Sequence, residues 1–440
     1  MNSIRNYLNG KEMTTNFVDY RKIFNKNNCV VKGDEININE VLGFKEDEDI
    51  NLYFNFPWCE SRCSFCNYSS GVQVHAEKHE DFVEIMLKHI NALKHFFINQ
   101  KASSVYFGGG TPTILSPKLL DDYVKGIVNI IPLSEDATVT IESNINNLYD
   151  DKLMVIKEYA NRISVGVQSF DENVRNAANM PFGEKEILKK IEITRKYVDN
   201  LNIDLIYGLR YQSEWSFLKD IKRCIEREIP SITLYQMELY EDLEYCSKIL
   251  LGHKKEEYDF FCSQLFYKAQ ELFYDAGYIQ QPTGWFIKKN ETISEQWRKR
   301  VDDWSKNRTY LGIGNRAYSH LSDYYFLMEP NYDKWRDQVN ENKIPILEFR
   351  KKSVEEKALV RLVRILRTEQ SITYEDLYYI FDDNKIIIDS ILCYFERMQK
   401  IKIFNIENQK IKVTPHGLSV MNWIIMEVCN LVISKGETIK

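Results

Sequence analysis

The chain lacks any run of 18 uncharged apolar residues and any positively charged leader with a hydrophobic core, so a cytoplasmic protein with no membrane partner is expected. It also lacks a basic excess. Lys and Arg number 58 against 64 Asp and Glu, and the net charge of −6 gives no support to a nucleic-acid or anionic-membrane partner. Cysteine is sparse for a disulfide framework: nine occur in 440 residues, and Cys29, Cys224, Cys246, Cys262, Cys393 and Cys429 are scattered singly. The remaining three are not scattered.

Cys59, Cys63 and Cys66 stand at CxxxCxxC spacing, directly behind the strand-like run Ile50–Phe56 that Pro57 ends. Three soft thiolates this close suit one metal centre in a chain expected to be cytoplasmic. An iron–sulfur cluster with one iron left open ranks first on spacing. A zinc site completed by a distant residue and a chance group of buried thiols remain alternatives.

At 440 residues and 52.2 kDa, with 44% hydrophobic and 28% charged residues, the chain has the makings of a large globular core. Residues 1–49 are polar, with apolar anchors at Phe17, Tyr20 and Phe24, and read as an extension draped over a domain. Residues 75–98 place Phe82, Ile85, Met86, Ile90, Leu93, Phe96 and Phe97 on one helical face. His75, His79, His89 and His95 on or near that helix read as solvated rather than as ligands.

Strand patterns at 103–107, 138–141, 162–167, 202–206 and 231–234 then alternate with helical patterns at 117–130, 150–160, 184–198 and 214–227. With Ile50–Phe56 these make six strands of a βα repeat, which requires parallel pairing and right-handed crossovers. Functional groups of such sheets collect at the carboxyl ends of the strands. The cysteine loop, Gly108-Gly109-Gly110-Thr111, Glu142, Gln168 and Asp204 are all expected there, facing one mouth. The glycines allow close backbone approach, and the carboxylates suit a ribose diol or an ammonium group.

Region 278–326 is aromatic, and Trp285, Trp297, Trp304, Tyr310 and Tyr318 could stack on a planar ligand or simply pack. A polar stretch near 330–350 suggests a boundary. Helical patterns at 353–368, 384–399 and 418–433 with short strands at 401–405 and 410–413 suggest a small α+β winged-helix-like domain. Residues 351–440 carry fourteen Lys and Arg against twelve Asp and Glu, too balanced for DNA binding.

Tyr53 to Cys66, Gly108-Gly109-Gly110-Thr111-Pro112-Thr113, Arg162 to Phe170, Asn202 to Leu209 and Gly312 to Ser319 resemble, in order, the motifs of the radical S-adenosylmethionine (SAM) family typified by oxygen-independent coproporphyrinogen III oxidase. The tail around Val413-Thr414-Pro415-His416-Gly417-Leu418 resembles that family's carboxy-terminal domain. The resemblance implies an α/β fold, a partial (β/α)6 barrel over 50–330, after the extension 1–49 and before a C-terminal domain over 331–440. It also implies a [4Fe–4S] cluster on Cys59, Cys63 and Cys66 whose open iron is chelated by SAM. Cleavage of SAM to a 5′-deoxyadenosyl radical would follow, with the electron coming from a donor such as flavodoxin or ferredoxin.

By position in those motifs, Gly108, Gly109, Gly110 and Thr111 would line the methionyl end of SAM, with Gly109 and Gly110 at its amino group. Gln168 and Asp204 would meet the ribose, and Tyr53 the sulfonium region. Glu142 matches a residue near a second SAM, so one or two molecules of SAM are implied, and Tyr53 and Glu142 become the expected catalytic residues. His320 is the one histidine near a family motif.

Departures from the pattern point away from porphyrinogen oxidation. The slot of a fourth cysteine is Tyr68, the usual histidine before the cysteine loop is Asn55, a Gly-Leu-Pro turn is Gly208-Leu209-Arg210, and an expected SAM-carboxylate arginine is Met180. Arg210 is expected to replace that cation. The expected reaction is transfer of a SAM-derived methyl or methylene carbon to a natural product, peptide or tetrapyrrole. The alternatives are decarboxylation of the coproporphyrinogen oxidase type and heme delivery without turnover.

Overall fold

The computed structural model describes residues 31–32, 42, 50–67, 71–72, 75–250, 254–281, 284–289, 309–321 and 323–436. Most of the extension 1–49 lies outside these, as do Tyr68, Trp297 and Trp304. Six strands run parallel and in sequence order: β1 (Ile50–Phe56), β2 (Ala102–Gly109), β3 (Leu133–Asn144), β4 (Arg162–Gln168), β5 (Leu201–Tyr207) and β6 (Ser231–Gln236). Sequential order with crossovers of one hand puts every helix on one face, and the sheet curls around the other as a partial barrel.

The residues explain that one-sidedness. A parallel strand covered on both faces is a continuous apolar run, whereas β1 alternates Asn51-Leu52-Tyr53-Phe54-Asn55-Phe56. Leu52, Phe54 and Phe56 are buried in the core, as are Val105 and Phe107 of β2, Val139 and Ile141 of β3, Ile163, Val165 and Val167 of β4, and Ile203 and Leu205 of β5. Their polar alternates share the interior face. There the carboxamide oxygen of Asn51 accepts from the Ser104 hydroxyl at 2.6 Å, and that of Asn202 accepts from Ser231 at 2.6 Å and Thr233 at 3.1 Å.

The first crossover helix, α1 (Ala76–Leu93), turns Phe82 edge-on to Phe56 and Trp58, with centroids 5.1 and 5.5 Å apart. Trp335, from the helix Tyr332–Asn340, closes this cluster and donates its indole N–H to His89 Nδ1 at 3.3 Å. His89 is therefore a core residue, not the solvated one expected, and burial pushes its pKa down to about 3. The helix face was read correctly from its apolar residues. Its histidine was not, because a neutral imidazole can be buried when another ring supplies the donor.

Beyond β6 the sheet gains antiparallel Trp285–Lys288 and Tyr278–Gln281 at that end. At the other end Tyr310–Ile313 pairs parallel to β1, followed by Tyr318–His320, Tyr324–Met328 and Ile346–Lys351. The aromatic region 278–326 is thus divided between opposite ends of the strand order. The sheet also continues through Lys351, past the boundary expected near 330, because Ile346–Lys351 pairs with both Tyr324–Met328 and the short strand Val31–Lys32.

Residues from Val354 onward build a separate core around Leu362, Ile391, Phe395, Ile424 and Val428, with a three-stranded antiparallel wing of Ser371–Thr373, Lys410–Val413 and Phe404–Glu407. Polar bonds tie this unit to the barrel, among them Gln270 Nε2 to the Pro415 carbonyl at 2.8 Å and Gln370 Nε2 to the Gln280 carbonyl at 2.9 Å. Among the described residues no helix is long and apolar enough to cross a membrane.

Phe107 is fully buried, stacked on Phe54 and edge-on to Tyr123, both at 5.3 Å. Phe107→Ala should lower unfolding stability by about 3–5 kcal/mol in urea titrations.

Candidate functional site

The cysteine loop leaves β1 at Pro57 and returns through Gly71, whose N–H donates to the Pro57 carbonyl at 3.1 Å. Inside it the Cys66 N–H donates to the Cys63 carbonyl at 3.0 Å, and Arg62 donates to the Cys66 carbonyl at 3.3 Å. The segment after β4 clamps the loop from outside. Ser64 N–H donates to the Ala178 carbonyl and Asn179 Nδ2 to the Arg62 carbonyl, both at 3.0 Å, while Cys63 and Phe65 pack on Val174, Ala178 and Met180.

None of the three cysteines is in a disulfide, and all three are half-buried. Burial pushes the Cys63 thiol up to about 11, and the neighbouring Cys66 and Cys59 add to the effect. Metal binding at such a site must release protons. Among the described residues no three His, Cys, Asp or Glu side chains converge on a single ion. A polynuclear cluster does not ask for that convergence, since its thiolates ligate different irons.

The glycine run is pressed against this loop. Gly110 N–H donates to the Phe56 carbonyl and Thr111 N–H to the Trp58 carbonyl, both at 2.7 Å, and Gly109 N–H donates to Glu142 at 3.1 Å. A Cβ on Gly110 would lie 2.1 Å from the Trp58 oxygen, and Gly109 has φ +109. These amides serve the protein itself, so a SAM amino group, which is a donor, has carbonyl oxygens rather than N–H groups to meet. Thr111 Oγ1 sits 3.4 Å from Cys59 Sγ.

On the interior face, Glu142 accepts from Tyr106 Oη at 2.7 Å, Tyr106 stacks on Tyr53 at 5.7 Å, and Tyr53 lies 6.0 Å from Tyr310. Burial pushes Glu142 up to about 7, with Asp204 adding to the shift. Asp204 is raised by burial too, against the pull of Arg162 and its own hydrogen bonds from Ser164 at 3.0 Å and Asn202 at 2.8 Å. Contrary to expectation, Asp204 is mid-strand and Glu142 lies two residues before the end of β3. Both still face the interior, because position parity rather than strand end decides it.

Gln168 does end β4, with the left-handed φ of 68, and its Oε1 is buried without a partner among the described residues. A buried acceptor held in a disfavoured backbone conformation fits a ligand donor such as a hydroxyl.

Two other expectations fare differently. Arg210 lies over the exposed Tyr211 ring at 4.5 Å and donates to its hydroxyl, so its guanidinium is spent on a surface contact. His320 is held by Arg364 at Nδ1, 3.0 Å away, and stacks on Tyr325 at 4.7 Å. Tyr106, Arg162 and Arg175 were missed. The first two share strand parity with Gly108 and Gln168 and were legible by counting alternate residues; Arg175 carried no such signal.

The sequence profile of the radical SAM superfamily matches residues 55–224, which include the cysteine loop, the glycine run, Tyr106, Glu142, Gln168 and Asp204 but neither Tyr53 nor Tyr310. Over those residues the chain is similar to the radical SAM superfamily. Heme chaperone HemW of Escherichia coli is 26% identical over 276 residues, covering 62% of this chain and 70% of that one. Coproporphyrinogen III oxidase, anaerobic 1, of Cereibacter sphaeroides is 26% identical over 309 residues, covering 67% and 68%. The solved structure of the E. coli coproporphyrinogen III oxidase HemN has the same fold, with a TM-score of 0.77 at 19% identity over 95% of this chain and 99% of that one.

A [4Fe–4S] cluster and SAM are the cofactors of this radical SAM enzyme. Three thiols, the tight Gly110 contact and the unpartnered Gln168 oxygen fit them. The expected methyl or methylene transfer does not survive: the named relatives are heme chaperones and coproporphyrinogen oxidases. That expectation rests on departures from the family pattern such as Tyr68 in the slot of a fourth cysteine, which is not a reacting group.

Gly110→Ala should lose most of its iron, measured per chain after reconstitution, because the new methyl displaces the Trp58 carbonyl and with it Cys59. In the cluster-free protein, Glu142 binds its proton more tightly folded than unfolded. Stability is therefore lost as pH rises from about 4.5 to about 7. The thermal stability of Glu142→Gln relative to the parent should rise across that window and level off above it.

Proposed function

We propose that the chain is a radical SAM enzyme acting on a tetrapyrrole, decarboxylating propionate side chains of a coproporphyrinogen-type substrate. The observation that carries this reading is the charged interior face: Glu142 bonded to Tyr106, with Arg162 and Asp204 within electrostatic reach of it. Arg162 is a fixed cation for a substrate carboxylate on a face from which helices are excluded. Tyr106 and Glu142 hold a proton between them, and a carboxyl raised to about 7 by burial can give or take it near neutral pH. Tyr53, Tyr106 and Tyr310 offer aromatic surface beside them.

When bound, the cluster and SAM supply hydrogen-atom abstraction; the protein orients the substrate and shields it from water. The electron that cleaves SAM comes from an external one-electron donor such as flavodoxin or ferredoxin, and the electron left on the substrate as CO2 departs and the vinyl group forms passes to an external one-electron acceptor. The similarity to coproporphyrinogen III oxidase over 309 residues supports this reading. Heme delivery is the second reading, favoured by the similarity to HemW over 276 residues.

Anaerobic incubation with coproporphyrinogen III, SAM and a reductant separates the two. Decarboxylation predicts CO2 and 5′-deoxyadenosine that rise with added substrate, both falling at least tenfold in Arg162→Met, about the loss of one charged contact. Stoichiometric heme binding with no substrate-dependent 5′-deoxyadenosine would overturn it in favour of delivery.

A further inference from the structure

Arg175 lies in the six-residue helix Glu172–Ala177 and is 3% exposed. Its guanidinium donates only to neutral acceptors: the carbonyls of Val167 at 2.6 Å, Ser169 at 2.9 Å, Phe182 at 2.8 Å, and Pro181. No carboxylate among the described residues pairs with it at ion-pair distance. A buried cation normally acquires an anion, because four carbonyl dipoles solvate its hydrogens without cancelling its charge.

Two groups answer that charge from a distance. One is Asp220, which accepts from the Ser169 hydroxyl at 2.6 Å and from Phe170 N–H at 3.1 Å, on the far side of the turn that Arg175 binds. The other is Cys63 of the cysteine loop, which packs on Val174 and Ala178 to either side of Arg175 in the chain and lies within electrostatic reach of its guanidinium. The same turn carries Gln168, and the residues just past the helix, Ala178 and Asn179, hold Ser64 and Arg62 of the loop. Arg175 is thus anchored to the frame on one side and to the loop's clamp on the other, and its position beside Cys63 is set by six backbone or side-chain bonds.

We propose that Arg175 is a positioning residue that tunes the cluster: its unpaired buried charge beside Cys63 stabilises the added electron and raises the reduction potential. The physics is Coulombic. A reduced cluster carries one more negative charge than the oxidised one, and a positive charge fixed in a low-dielectric setting favours the more negative state. The inference rests on the cluster assignment above. It goes beyond it in naming a residue outside the ligand set and the motifs that carries the tuning.

The test is a redox titration followed by electron paramagnetic resonance on reconstituted full-length protein, comparing the parent with Arg175→Gln and Arg175→Lys. Arg175→Gln removes the charge, whereas Arg175→Lys keeps it but cannot serve four carbonyls. The expected result is a more negative potential in Arg175→Gln and a potential near the parent's in Arg175→Lys, with iron content unchanged. Equal shifts in both, or none in Arg175→Gln, would overturn the tuning role and leave Arg175 a structural clamp. If Arg175→Gln does not fold, Asp220→Asn measured at about pH 8.5 takes its place, since burial raises that carboxyl to about 7 and it is ionised there. Loss of that opposing charge should raise the potential, and an unchanged or lowered potential would overturn the proposal. Failure of the parent itself to assemble a cluster would instead sink the assignment on which it rests.

Discussion

The close approach of Gly110 to the Trp58 carbonyl is the contact on which the site depends. It brings the glycine run and the cysteine loop, which leave adjacent parallel strands, to van der Waals distance, with two backbone hydrogen bonds of 2.7 Å between them. No side chain fits in that gap. Cys59 is then fixed beside Thr111, and the loop's other arm is fixed by the segment after β4. The first, second and fourth βα units therefore hold one loop, and the thiols inherit the rigidity of the sheet rather than the freedom of a surface turn.

The second constraint is strand parity. Helices cover one face of a singly wound sheet, so the apolar half of every strand goes there and the polar half is left to line the interior. This produces a buried, charged surface where Glu142, Asp204, Arg162 and Tyr106 act on one another and Tyr53 stacks on Tyr106. Burial raises both carboxyls, and Arg162 and the hydroxyl donors oppose it. Such a face suits a substrate carrying carboxylates, which can replace protein–protein hydrogen bonds with its own.

Much of this was legible in the sequence because it is local. The cysteine spacing, the glycine run and the alternation in Ile50–Phe56 each sit within one element, and the βα repeat follows from their order. What the sequence hid is contact between distant residues. His89 depends on Trp335, 246 positions away. Arg175 depends on a turn that only the fold brings to Cys63. The aromatic stretch 278–326 looked like one wall and is two, because strand order is not sequence order beyond β6. The reaction was misjudged by weighing what was missing, Tyr68 in a cysteine slot, above the charges on the interior face.

An open iron that binds SAM is the central claim, and electron–nuclear double resonance on the reduced protein tests it most directly, using SAM labelled with a nuclear-spin isotope at its amino nitrogen. The expected result is a coupling between that nitrogen and the cluster, absent in Cys63→Ala. A cluster that forms fully yet shows no coupling, or a chain that takes up zinc and no iron, would contradict it.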